Sequence, residues 1–266
     1  MYKAVFLDLD GTLLDEEKNI SKENKDAIKY AKSKGAYVCI CSGRQIDIAK
    51  GFKEEAGADR YLIFSNGAGI YDCENNQLLY TSFVPKEVGY NIHNYVLEKG
   101  VFIRVDTKYG SYINDEKYMV NTEVIFEEAE EQYFYEENEV LQISIGAESE
   151  EIIDNISEEI KTNMGNLVKI ENRYSLFLNE HTVWFINVIN KLASKGNAIS
   201  GLCKYLKIDE KDVIACGDDL NDISMMKEVG LGVAMGNAVD AVKKEAKEIT
   251  KTNIENGVAY VLLNKF

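Results

Sequence analysis

The chain has 266 residues, of which 45% are hydrophobic and 28% charged: a folded composition, and enough length for roughly two domains. Its formal net charge of −15 makes nucleic acid and anionic membrane poor partners. One proline, Pro85, and 19 glycines exclude proline-rich recognition segments and disordered linkers.

In chain order, Lys3–Leu9 reads as a buried strand, and Ser21 can cap a helix running to about Ser33 that Gly35 ends. Tyr37–Cys41 is a second buried strand, followed by a helix from about Gln45 to Glu55 and a third strand at Tyr61–Phe64. Ile70–Tyr71 and Leu78–Tyr80, joined across Asn75-Asn76, read as a hairpin. After Pro85 the pattern changes to a mixed block. It holds a helix at Lys86–Glu98, short strands at Val101–Val105, Ser111–Ile113 and Leu141–Ile145, a helix near Glu150–Asn163, and strands near Leu167–Ile170 and Ser175–Leu178. The acidic run Glu127–Glu139 inside it reads as a solvated face with a buried aromatic stripe at Tyr133, Phe134 and Tyr135. From about Asn190 alternation resumes: helix Lys195–Leu206, strand Val213–Cys216, helix Asp222–Lys227, strand Gly232–Met235, helix Ala238–Glu245, strand Glu248–Thr250 and a last helix from Gly257. No internal repeat is evident. Strands alternating with helices at both ends of the chain predict an α/β fold, a doubly wound parallel-sheet Rossmann-like core made of residues 1–83 and 190–266, with an α+β domain inserted at 84–189.

The five cysteines, Cys39, Cys41, Cys73, Cys203 and Cys216, are odd in number and form no C-x-x-C pair, so they read as reduced thiols of a cytoplasmic protein. Cys39 and Cys41 share one face of an apolar strand and read as small buried hydrophobes. The apolar run Ala4–Leu9 is interrupted by Asp8 and has no basic leader, so no secretory signal is expected; no stretch reaches a membrane span.

Four fragments carry chemistry. Asp8-Leu9-Asp10-Gly11-Thr12 closes the first strand, at the carboxyl edge where ligands of open α/β sheets bind. In an extended strand Asp8 and Asp10 point to the same side, and two such carboxylates need a cation or a proton between them. Cys216-Gly217-Asp218-Asp219-Leu220-Asn221-Asp222 follows another apolar strand and gathers oxygen ligands suited to a hard cation. Helix capping explains one or two of its acids but not the whole cluster, and neither acidic cluster has the glycine and glutamate spacing of an EF-hand. Ser42-Gly43-Arg44, ahead of a helix, offers a hydroxyl and free backbone N–H groups as an anion seat, although Ser-Gly is also ordinary turn chemistry. Lys195 opens a helix, where its charge opposes the helix dipole; in an acidic pocket it would supply the positive charge that an anionic ligand needs on a −15 protein.

Taken in order, Asp8-Leu-Asp10-Gly-Thr, Ser42-Gly-Arg, Lys195-Gly and Gly217-Asp218-x-x-Asn221-Asp222 resemble the haloacid dehalogenase superfamily of phosphatases, in its Cof-type branch with a late-inserted cap. Ser65-Asn66-Gly67-Ala68 and Glu255-Asn256-Gly257-Val258-Ala259 are further echoes, and the resemblance spans the chain. It implies a Mg²⁺-dependent phosphohydrolase of small phosphorylated metabolites, sugar phosphates or phosphorylated cofactors, working through an aspartyl-phosphate on Asp8. By the same resemblance Asp10 is the general acid/base, and Asp8, the Asp10 carbonyl and Asp218 are the metal ligands. Ser42, Gly43, Lys195 and Asn221 hold phosphate, with Asp222, Arg44 and Asn66 in support. Ser42 stands where the family often has Thr, which keeps the hydroxyl. The inserted domain would select substrate.

The chemistry is coherent without the resemblance, since phosphoryl transfer needs a positioned nucleophile and charge neutralisation. Gly230–Gly236 loosely suggests a dinucleotide loop but spans a strand instead of opening a helix. His93 and His181, the two histidines, read as core or surface residues, and Trp184 as a packing residue at the domain junction. A phosphomutase of the same superfamily needs a second phosphate site, of which the lysine-poor acidic run gives no sign; a non-catalytic metal- or phosphate-binding regulator would not require Asp10. A monomer or weak homodimer is expected.

Overall fold

A computed structural model describes residues 2–107, 110–115, 135, 139–178 and 180–266. They fall into two compact units, Met1–Thr81 with Ala193–Phe266, and Ser82–Leu192.

The first unit begins with β1 (Ala4–Leu7), all four residues of which are buried. Helix α1 (Lys22–Ser33) starts where Ser21 Oγ accepts the Asn24 N–H at 3.1 Å, and its buried stripe is Asn24, Ala27, Ile28 and Ala31. β2 (Tyr37–Cys41), α2 (Ile46–Ala56) and β3 (Tyr61–Phe64) follow, α2 ending on Gly57 in the left-handed conformation. β4 (Gly69–Asp72) and β5 (Gln77–Thr81) form the expected hairpin, its turn end tied by the ion pair of Arg60 with the buried Asp72.

The inserted unit runs through α3 (Lys86–Glu98), β6 (Phe102–Thr107), β7 (Ser111–Ile113), β8 (Val140–Ala147), α4 (Glu150–Met164), β9 (Val168–Leu178) and β10 (His181–Asn190). Its described strands form an antiparallel sheet in the order β7-β6-β8-β10-β9. One face of that sheet, with Ile103, Val105, Ile143, Ile145, Ile186 and Val188, packs with Val88, Ile92 and Val96 of α3 and Ile153, Ile156 and Ile160 of α4. Here the structure corrects the sequence reading. The two short strands expected near 167–170 and 175–178 are one strand with an irregularity opposite Asn187/Val188, and β10 was not foreseen at all. The reversal between them passes through Glu180 at φ 70°, with no glycine or proline to announce it. His93 is a satisfied core residue: it is buried, with Nδ1 2.8 Å from the hydroxyl of buried Tyr135. His181 is exposed. Trp184, expected at the domain junction, packs on the apolar cluster of this unit, with the Arg173 guanidinium 5.4 Å from its ring. Apart from Tyr135 and Glu139, the acidic run 127–139 lies outside the described residues.

The chain returns through α5 (Lys195–Leu206), β11 (Val213–Gly217), α6 (Ile223–Glu228), β12 (Leu231–Ala234), α7 (Asp240–Glu245), β13 (Glu248–Ile249) and α8 (Gly257–Lys265). The larger sheet has the order β13-β12-β11-β1-β2-β3-β4-β5, parallel from β13 to β3 and antiparallel at the β4–β5 edge. Val5 lies between Ile214 and Val38, so β1 is central and its near-continuous apolar run fits a strand covered on both faces. The strand order reverses at β1, which puts the ligand crevice of such a fold at the carboxyl ends of β1, β2 and β11. The glycine-rich stretch near 230–236 carries β12 and opens no helix directly. Among the described residues no helix is long and apolar enough to cross a membrane.

Candidate active site

Asp8 follows β1 directly, and there the chain leaves the strand. Leu9–Leu13 form a wide turn closed by the Leu14 N–H donating to the Leu9 carbonyl at 2.9 Å, with Asp10 at ψ 124° and Gly11 at φ 73°. This corrects the expectation that Asp8 and Asp10 share one side of an extended strand: their carboxylates take different partners. Gly11 is required twice over. Its φ is left-handed, and a Cβ on it would overlap the Asp218 carboxylate.

Asp8 is 5% exposed and its carboxylate faces Lys195, whose residue exposure is 0%. Lys195 Nζ donates to Asp8 Oδ1 and to Asp222 Oδ1, each at 2.6 Å. Ser194 caps α5 by accepting the Asn197 N–H, so the helix start is satisfied and Lys195, its first residue, extends into the crevice. Asp222 uses its other oxygen to accept the N–H groups of Asp218 at 2.7 Å and Asp219 at 3.1 Å, while Asp219 caps the short turn Leu220–Asp222. Capping thus accounts for Asp219 and part of Asp222, but not for Asp218. Asp218 Oδ1 accepts from Thr12 Oγ1 at 2.6 Å.

Burial, reinforced by Asp222 and Asp218, pushes the Asp8 carboxyl well above the usual carboxylate range despite Lys195. Burial also raises Asp218 to about 7, against the Thr12 hydrogen bond and with the charge of Asp222. For Lys195, burial is outweighed by Asp222 and Asp8, which hold the ammonium above its ordinary value. Oxygens of Asp8, Asp218 and Asp222 lie within 4.8 Å of one another. Three crowded carboxylates around one ammonium fit a hard divalent cation such as Mg²⁺. Asp222 is engaged through both oxygens, so Asp8 and Asp218 are the members with an oxygen to give.

Asp10 sits in a different setting. Arg44 grips it with Nε to Oδ2 and a terminal nitrogen to Oδ1, both at 2.7 Å, and Lys18 Nζ adds 2.8 Å to Oδ1. Partial burial alone would raise this carboxyl, but the hydrogen bonds and charges of Arg44, then of Lys18, hold it down at about 2. The Arg44 guanidinium also lies 4.9 Å from the Phe52 ring. Sequence reasoning missed Lys18, whose only signal was its place in a polar loop. That loop is bonded to itself, with Asp15 Oδ1 accepting from Glu17 and Asn19, and it carries Lys18 at φ 65°.

The remaining expected residues form the third side. Ser42 is buried and its Oγ accepts the Arg44 N–H at 3.1 Å. Buried Asn66 donates its N–H to the Ser42 carbonyl at 3.1 Å and accepts from Asn221 Nδ2 at 2.9 Å. Asn221 Oδ1 is buried with no hydrogen-bond partner among the described residues, a polar atom that a bound ligand would satisfy. A Cβ on Gly43 would come 2.7 Å from Asn66 Oδ1, and one on Gly67 would overlap the Ser194 carbonyl, so these loops interlock. Ser65, Asn66 and Gly67 all have positive φ, at 46°, 55° and 87°, strain of the kind that concentrates at functional sites. The structure therefore gathers Asp8, Asp10, Ser42, Gly43, Arg44, Asn66, Lys195, Asp218, Asn221 and Asp222 into one contact network, and adds Thr12 and Lys18. A buried carboxylate beside an ammonium, a cluster of oxygens that fits a cation and a second carboxylate could together serve phosphoryl transfer.

Comparison with known proteins agrees. The sequence model of the haloacid dehalogenase-like hydrolases matches residues 5–262. The chain is 32% identical over 261 residues to the 5-amino-6-(5-phospho-D-ribitylamino)uracil phosphatase YcsE of Bacillus subtilis, covering 97% of this chain and 93% of that protein. It is 31% identical over 288 residues to phosphatase YwpJ of the same organism, covering 98% of each. A haloacid dehalogenase-like hydrolase from Bacteroides thetaiotaomicron shares the fold with a TM-score of 0.85 at 24% identity over 100% of both chains.

Proposed function

This chain belongs to the haloacid dehalogenase-like hydrolases as a Cof-type phosphatase acting on phosphorylated substrates, and from that premise we propose that it hydrolyses phosphate monoesters of small metabolites through an aspartyl-phosphate on Asp8. The observation that supports this most is the buried Asp8–Lys195–Asp222 cluster beside Asp218 at the carboxyl end of the central strand.

In this reading the Asp8 carboxylate attacks phosphorus and the ester oxygen leaves. Lys195 balances the charge of nucleophile and phosphoryl group, while Ser42, the Gly43 N–H and Asn221 orient the phosphoryl oxygens. Asp222 holds Lys195 in place and ties it to the Asp218 backbone. Mg²⁺, held by Asp8, Asp218 and the Asp10 carbonyl, would supply the neutralisation that lets one anion approach another. Asp10 protonates the leaving oxygen and then takes a proton from the water that hydrolyses the aspartyl-phosphate. The grip of Arg44 and Lys18 favours the ionised carboxylate, which suits the second half of this cycle. For the first half Asp10 must leave that grip to carry a proton. We assign substrate selection to the inserted unit, a cytoplasmic location to the protein, and a monomeric or weakly dimeric state.

The test is phosphate release from a panel of phosphorylated metabolites, with Mg²⁺ and with chelator. The panel includes sugar phosphates and 5-amino-6-(5-phospho-D-ribitylamino)uracil, the compound in the name of the Bacillus relative. Release that requires the cation supports the reading. Chelator-insensitive release refutes the metal assignment, and no release from any member refutes the substrate class.

A further inference from the structure

The turn that carries Asp10 is closed by the Leu14 N–H donating to the Leu9 carbonyl, and its outward carbonyls need partners from elsewhere. Side-chain amides provide them. Asn237 Nδ2 donates to the Gly11 carbonyl at 2.8 Å, Asn253 Nδ2 to the Leu14 carbonyl at 2.9 Å, and Asn24 Nδ2 reaches the Leu13 carbonyl at a longer 3.5 Å. Asn237 and Asn253 are joined, since the Asn253 N–H donates to Asn237 Oδ1 at 3.0 Å. Both are anchored: Gly236 N–H bonds the Lys251 carbonyl at 3.0 Å, and Glu255 holds the Thr252 N–H at 3.2 Å and hydroxyl at 2.7 Å.

We propose that Asn237 and Asn253 are positioning residues that hold the Leu9–Leu14 turn in its working shape. The inference rests on the reading of Asp8 and Asp10 as the catalytic pair. Two facts connect the latch to that chemistry. Gly11 packs so closely on Asp218 that a Cβ there would overlap its carboxylate, and the next residue, Thr12, is bonded to the same carboxylate. A displaced Gly11 carbonyl therefore moves Asp218 on one side and Asp10 on the other. Asn237 is itself exposed, and an exposed hydrogen bond adds little to stability, so its effect should appear in turnover and not in melting.

Asn237→Asp isolates the contact, because it keeps the shape and the acceptor for the Asn253 N–H but replaces the donor to Gly11 with an anionic oxygen. Asn253→Asp does the same at Leu14. Both are compared with Asn237→Ala in the full chain, using Mg²⁺ and a phosphate monoester that the parent turns over. We expect Asn237→Asp to lower kcat about tenfold and more than Asn237→Ala does, with KM changed less than about twofold. The melting midpoint should stay within about 3 °C. Asn253→Asp should show the same split. Turnover within about twofold of the parent in both Asp variants overturns the proposal. So does a loss that follows a parallel fall in melting. Asp8→Asn is the control: if it is inactive while Asn237→Asp is unimpaired, only this inference fails. If Asp8→Asn stays active, the catalytic reading itself fails.

Discussion

Asp8 and Asp10 are the same residue type two positions apart, yet the fold places them in opposite electrostatic worlds. Asp8 is buried, shares Lys195 with Asp222, crowds Asp218, and is pushed well above the carboxylate range. Asp10 has a side chain 44% exposed, is held by two cations, and is drawn down to about 2. The interior has too little positive charge for its carboxylates, and the rim has more than one carboxylate needs. This imbalance separates the proposed roles. A buried carboxylate short of counter-charge calls for a cation before it can act as an ionised nucleophile; a carboxylate gripped at the rim stays ionised and must leave that grip to take up a proton.

Substitutions can break this contrast at either end. Asp8→Asn should abolish turnover, by at least about a thousandfold, with the fold retained, because the amide keeps the shape and loses the nucleophile. Steady-state phosphate release and circular dichroism check it. Asp10→Asn should cost about 10²–10⁴-fold in the same assay, since proton transfer and not the bond-forming group is removed. Lys195→Met strands Asp8 and Asp222 together in the interior and should destabilise by about 3–5 kcal/mol, measured by denaturant unfolding without divalent cation.

The Asp218 carboxyl gives a pH dependence of smaller size. Its folded value of about 7 lies above the ordinary 3.8, so between those limits the folded chain binds the extra proton. The metal-free protein should therefore lose stability as pH rises from about 4 to about 7, by on the order of a few kcal/mol. Mg²⁺ should reverse the loss and release protons on binding, which calorimetry in buffers of different ionisation heat would detect. Smallest of all, Lys18→Met removes a half-exposed ion pair and should change stability by less than about 1 kcal/mol. A large effect there would mean that the rim is built as tightly as the interior.

Much of this was legible in the chain because strands covered on both faces must be apolar. Ala4–Leu7, Tyr37–Cys41, Tyr61–Phe64 and Val213–Gly217 stand out for that reason, and polar residues directly after them mark the crevice. Ser21 was readable as a helix cap by the same local logic. What escaped was non-local or unannounced. The β9–β10 hairpin turns on Glu180 at positive φ without a glycine or proline, and β10 has no alternation to separate it from any other apolar run. Strand periodicity paired Asp8 with Asp10, whereas the turn at Leu9–Leu13 sends them to different partners. Thr12 with Asp218 and Asn237 with Gly11 are 206 and 226 positions apart, a reach that no local pattern encodes.

The most direct test of the central claim is mass spectrometry of the Asp10→Asn variant, quenched in acid after mixing with substrate and Mg²⁺. A phosphoryl adduct on the peptide containing Asp8, lost with chelator and absent when Asp8→Asn is added, is the predicted result. Phosphate release without any adduct on Asp8, or an adduct on another residue, would contradict it.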